Sequence, residues 1–126
     1  MHITHVALWA RDLETLTRFY CGVFDGELGE PYHNPRKQFS SRFVRFGSGA
    51  SLELMHRPDI VEPADMPFFG LAHLAFSLGS EAAVDAMTIH LQQTGLRHLD
   101  GPRHTGDGYY ESVFLDPEGN QIELTV

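Results

Sequence analysis

"HVALWARDLETL" at residues 5–16 reads as a strand running into a helix, and "HLAFSLGSEAAV" at residues 73–84 repeats the statement. In each, a histidine leads alternating residues, the mark of a half-buried strand. Seven residues after each histidine stands Asp12 or Ser80, a side chain that can accept from the free N–H groups of a helix's first turn. Apolar residues then recur at helical spacing: Leu13, Leu16, Tyr20, Val23 and Phe24 in one stretch, Val84, Met87 and Leu91 in the other. The spacing predicts helices near 12–25 and 80–94, stopped by Gly26 and Gly95.

Outward from these stretches the echo continues. Strands are expected near 2–10, 27–33, 39–47 and 50–56, and again near 70–78, 96–100, 109–116 and 120–126. Gly47-Ser48-Gly49 marks one hairpin and "DPEGN" (116–120) another. "SLEL" (51–54) closes the first half as "QIEL" (121–124) closes the second. His5 precedes Glu53 by 48 residues and His73 precedes Glu123 by 50. Between the halves, "RPDIVEPADMPFF" (57–69) has three prolines and no periodicity, and reads as a linker. The expectation is an α+β fold within a single domain, 1–126. Two βαβββ modules, 1–56 and 70–126, form a curved mixed sheet with helices on the outside.

Strand parity then selects the chemistry. Alternate residues face opposite ways, so Val6 and Leu8 oppose His5, Ala7 and Trp9, while Leu74 and Phe76 oppose His73 and Ala75. Leu52 and Leu54 oppose Glu53, and Ile122 and Leu124 oppose Glu123. With the aliphatic residues under the helices, His5, Glu53, His73 and Glu123 are predicted to converge on the concave side. Two imidazoles and two carboxylates suit one divalent first-row metal, whether Mn, Fe, Co, Ni or Zn, and leave two octahedral positions for water or substrate. Trp9 shares the His5 face and is a candidate pocket wall, as is Met55. Arg103 and Tyr109 lie in "GPRHTGDGYYES" (101–112), a Gly-rich stretch read as a flap. "NPRKQ" (34–38) reads as a solvated turn.

Bulk properties exclude some classes of partner. A chain of 126 residues with 42% hydrophobic and 21% charged content is an ordinary globular domain. Its formal charge of −8 argues against nucleic acid and against anionic membrane surfaces. No apolar run approaches the roughly 18 residues of a membrane span, and "MHITHVALWARDLE" lacks the pattern of a signal peptide. The single cysteine, Cys21, forms no internal disulfide and fits a reducing cytosol, so a cytoplasmic location is expected.

"ITHVALWARDLETLTRFY" (3–20), "GLAHLAF" (70–76) and "YYESVFLDPEGNQIEL" (109–124) make the chain resemble the vicinal oxygen chelate superfamily. That superfamily includes glyoxalase I, bleomycin-resistance proteins, extradiol dioxygenases, fosfomycin-resistance enzymes and methylmalonyl-coenzyme A epimerase. The resemblance covers essentially the whole chain. It implies paired βαβββ modules, a metal on the concave sheet face and a homodimer. The His-Glu-His-Glu order is similar to that of glyoxalase I, which implies a lyase or isomerase. In it Glu53 and Glu123 are catalytic as well as ligating, and the reaction runs through an enediolate of a substrate chelating through vicinal oxygens. The glutathione side departs from that pattern: the arginine and asparagine expected four residues after the first two ligands are Trp9 and Arg57. A binding or resistance protein without turnover is the alternative, and a metal-dependent dioxygenase is a third reading.

Overall fold

In the computed structural model, which describes residues 1–47, 49–63 and 69–126, the caps act as their side chains suggest. Asp12 Oδ1 accepts from the Glu14 and Thr15 amides at 2.9 and 3.4 Å, and Oδ2 accepts from Thr15 Oγ1 at 2.9 Å. Ser80 Oγ accepts from the Ala83 amide at 3.2 Å. Such caps stabilise a helix by about 1 kcal/mol each. They open α1 (Leu13–Phe24) and α2 (Glu81–Gln93). Gly95, at φ 80°, follows the α2 C-cap as expected, but α1 ends differently. Asp25 itself takes the left-handed conformation, φ 51°, and Gly26 serves close packing instead. A Cβ on Gly26 would collide with the Val44 side chain.

Among the described residues the chain forms nine strands, in two compact units, Met1–Pro63 and Ala64–Val126. The fold is α+β, with two curved mixed sheets. The first unit contains β1 (His5–Trp9), β2 (Glu27–Leu28), β3 (Tyr32–Asn34), β4 (Phe39–Arg45) and β5 (Ser51–His56). Its sheet runs β1-β5-β4-β2, with β3 also on β4. The strand expected at 27–33 is two short ones, because Gly29 and Pro31 interrupt it and proline offers no N–H to a ladder. Both pieces still pair with β4, Leu28 opposite Val44 and Tyr32 opposite Ser41.

The second unit contains β6 (Leu74–Ser77), β7 (His98–His104), β8 (Tyr110–Leu115) and β9 (Gln121–Thr125), in the order β6-β9-β8-β7. β6 is shorter than its sequence suggests, so His73 immediately precedes it. β7 is longer: Arg103 and His104 are strand residues, and the expected flap shrinks to a loop in which Thr105 and Tyr109 exchange hydrogen bonds. Irregular pairing lets β7 continue past Gly101, where φ is 82° and a Cβ would strike the backbone of Glu111 and Ser112. Asp116 closes the β8–β9 turn: its Oδ1 accepts from the Glu118 and Asn120 amides at 2.9 Å each. The hairpin expected at 47–49 includes Ser48, and the linker expected at 57–69 includes residues 64–68, which lie outside the described residues.

Each helix covers one face of its own sheet. Under α1, Leu16 and Tyr20 are buried with Leu8, Val44, Leu52 and Leu54. Under α2, Val84 and Leu91 are buried with Phe114, Ile122 and Leu124. Burying each of these larger side chains contributes about 1.5–3 kcal/mol. The opposite face of each sheet carries a glutamate, Glu53 across from Phe43 in the first and Glu123 across from Val113 in the second.

Candidate functional site

Register decides which open-face residues meet. In the first sheet β1 and β5 run parallel, with Ala7 opposite Glu53, so His5 sits two residues before the partner of Glu53. In the second, β6 and β9 run parallel with Ala75 opposite Glu123, and His73 sits two residues before that partner. The same step yields the same result twice. His5 Nε2 lies 3.8 Å from Glu53 Oε2, and His73 Nε2 lies 3.2 Å from Glu123 Oε2. The imidazoles are 44% and 39% exposed, whereas the carboxylates are only 18% and 14% exposed.

The surroundings aim these groups. The Phe43 ring stands edge-on to His5, with centroids 5.4 Å apart. His5 Nδ1 is 3.3 Å from Thr4 Oγ1. If Nδ1 carries the proton and donates it there, the Nε2 lone pair faces Glu53, the tautomer a metal ligand requires. Burial pushes the Glu123 carboxyl above the ordinary carboxylate range, His73 opposes that shift, and Glu111 adds to it.

One of the two donor pairs passes a simple geometric test as it stands. Two donors about 2.1 Å from one ion stand ~3.0 Å apart at a right angle and ~3.4 Å apart at the tetrahedral angle. The His73–Glu123 separation of 3.2 Å falls between these values, and His5–Glu53 at 3.8 Å needs to close by a few tenths of an ångström. Imidazole nitrogen with carboxylate oxygen is a donor set for the divalent ions from Mn to Zn. Among the described residues, no three His, Cys, Asp or Glu side chains cluster closely enough to hold an ion together, so each unit offers a pair.

The remaining predicted residues separate. Trp9 is the Cα partner of Met55, is 42% exposed and meets the Phe39 ring at 6.2 Å. The Arg57 guanidinium lies 5.5 Å from the Trp9 ring centroid and is bonded to Asp59. The two positions that depart from the glutathione pattern therefore touch each other. Arg103 is held by Asp100 at 2.7 Å on the second sheet, while Tyr109 is exposed in the loop before β8. A shallow depression of about 560 Å³, lined by Lys37, Gln38, Arg57 and Asp59, contains none of the four predicted donors. Sequence reasoning missed Glu111 and Phe43. Their alternation was visible, but their neighbours across the strands were not.

Comparison with known proteins agrees with the fold. The chain belongs to the Glyoxalase/Bleomycin resistance protein/Dioxygenase superfamily, whose family model matches residues 2–124. It is 33% identical over 132 residues to the uncharacterized protein YqjT of Bacillus subtilis (strain 168), covering 95% of this chain and 94% of that one. Among solved structures it is similar to a glyoxalase family protein from Enterococcus faecalis, with 27% identity and a TM-score of 0.81, covering 99% and 97% of the two chains. The trypanothione-dependent glyoxalase I of Leishmania major shares the fold at 18% identity, with a TM-score of 0.80 and coverage of 99% and 86%.

Proposed function

We propose that the protein is a metal-dependent, glyoxalase-like lyase or isomerase acting on a small substrate that presents vicinal oxygens. The observation that carries this is the repeated His–Glu pair, set by the same parallel register in both sheets. Members of the superfamily typically bind a divalent metal, and the pairs His5–Glu53 and His73–Glu123 are the residues that would supply donors to such an ion. When bound, the ion supplies a Lewis acid that stabilises negative charge on substrate oxygens.

The chain's own residues do the rest. The imidazole Nε2 atoms act as neutral donors, and the half-buried carboxylates of Glu53 and Glu123 take a carbon-bound proton and return it at the neighbouring carbon. A carboxyl raised by burial, as Glu123 is, accepts a proton nearer neutrality than a solvated one. Trp9 and Arg57 engage each other where glyoxalase I would hold glutathione, which supports a substrate other than a glutathione adduct.

The protein works as a homodimer, as members of the superfamily often do, in the cytoplasm, where a single unpaired cysteine suits the reducing conditions. Burial pushes the Cys21 thiol up, away from the reactive thiolate, and among the described residues no helix is long and apolar enough to cross a membrane. The test is metal analysis of the purified protein, followed by solvent deuterium exchange into candidate substrates with Ni²⁺, Co²⁺, Mn²⁺, Fe²⁺ or Zn²⁺. Metal-dependent exchange supports the enzyme. Tight substrate binding without exchange favours a binding module, and absence of any bound divalent ion defeats the reading. Light scattering at micromolar concentration checks the dimer.

A further inference from the structure

The pair His73 and Glu123 leaves one cation on the same sheet face without a task. Arg103 on β7 is the Cα partner of Glu111 on β8, and Glu111 stands two residues from Val113, the partner of Glu123. Alternation therefore puts Arg103, Glu111 and Glu123 on one side of the second sheet, opposite buried Phe114, Ile122 and Leu124.

Arg103 is held as a tool would be. Asp100 Oδ1 accepts from the Gly101 amide at 2.8 Å, and Asp100 Oδ2 accepts from Arg103 Nε at 2.7 Å. Arg103 Nη2 is 4.0 Å from Glu111 Oε1, too long for a hydrogen bond, and the side chain remains 46% exposed. A guanidinium has five N–H donors, so its outer edge keeps a fork for a planar acceptor. Two strand spacings and a two-residue step along β8 separate Arg103 from Glu123, roughly 12 Å of backbone. Their long side chains shorten that gap enough to interact electrostatically.

We infer that Arg103 anchors a carboxylate of the substrate, a few bonds from the oxygens that His73 and Glu123 would serve. The substrate class is then a small α-hydroxyaldehyde or α-hydroxyketone bearing a distal carboxylate, in which the proton leaves the hydroxyl-bearing carbon and returns at its carbonyl neighbour. This rests on the metal reading above. A carboxylate suits the place better than a phosphate. It is planar and matches the guanidinium fork in two parallel hydrogen bonds. Glu111 and Asp107, both within electrostatic reach of Arg103, would also oppose a dianion more strongly than a monoanion.

Calorimetry on the full chain tests it with two binding probes, 2-oxoglutarate and 2-oxopentanoate, which share a chelating end of vicinal oxygens and differ in the distal carboxylate. Ni²⁺ is first titrated into the parent, Arg103→Ala and Arg103→Lys, and should bind all three alike. The Ni²⁺-loaded parent should then prefer 2-oxoglutarate by roughly 10- to 100-fold, the worth of a hydrogen-bonded charge pair. Arg103→Ala should abolish the preference, and Arg103→Lys should retain part of it as a point charge. Thermal melts confirm that the variants fold. Equal binding of the two acids, binding of neither, or a preference that survives in Arg103→Ala overturns the role of Arg103 alone. Failure of the parent to bind Ni²⁺, Co²⁺, Mn²⁺ or Zn²⁺ strikes the metal reading, and this inference falls with it.

Discussion

The open faces of the two sheets begin alike and then diverge. Beside His5 and Glu53 the first sheet carries an aromatic and apolar surface: Phe43 against His5, with Trp9 meeting Phe39 and paired to Met55. Beside His73 and Glu123 the second carries a charged row, Glu111, Arg103 and Asp100. What is common to both is a histidine two residues before the strand partner of a glutamate, a relation that brings an imidazole nitrogen and a carboxylate oxygen close together. What differs is the neighbourhood, which a ligand would feel and an ion would not. The repeat thus separates ion-binding features from substrate-binding features within a single chain.

The largest expected effect attacks the common part. Glu123→Gln keeps the shape and removes an anionic donor. Changes behind a ligand already cost roughly 10- to 100-fold in metal affinity, so loss of the ligand should cost more than about 100-fold by calorimetry. An unchanged affinity would reduce Glu123 to a polar residue on a strand. Glu53→Gln should be milder, about tenfold, because the His5–Glu53 pair is wider and its carboxylate slightly more exposed. If Glu53→Gln proves the more damaging, the asymmetry read from the two distances is wrong.

A smaller effect concerns the metal-free protein and pH. The Glu123 carboxyl is raised by burial, so the native state binds its proton more tightly than the unfolded chain does. Stability then falls as pH rises from the ordinary glutamate range through the raised value, and the cost persists above it. Metal-free Glu123→Gln, which has no charge to bury, should match or exceed the parent in stability at neutral pH and lose that advantage on acidification. Thermal melts from pH 4 to 8 would show it, and a variant markedly less stable than the parent at neutral pH would contradict it. The smallest expected effect is none: His2→Ala, at an exposed histidine ahead of β1, should leave metal binding unchanged in the same titrations.

Much of this was legible in the chain because it is local. Asp12 and Ser80 cap the helices through groups two or three residues away. The alternation around His5, Glu53 and Glu123 reports a face at the scale of single residues, and "DPEGN" closes its turn through Asp116 alone. Tertiary structure decided the rest. Gly26 looks like a helix stop, but Asp25 ends the helix and Gly26 makes room for Val44, a residue on another strand. Arg103 reads as loop beside Gly101 and Pro102, yet pairing with Glu111 makes it strand and brings it into the field of Glu123. The sequence by itself therefore determined which residues face away from the helices and that they do so twice. Only the structure decided which of them are neighbours, because register is set by long-range pairing and not by the spacing of any one segment.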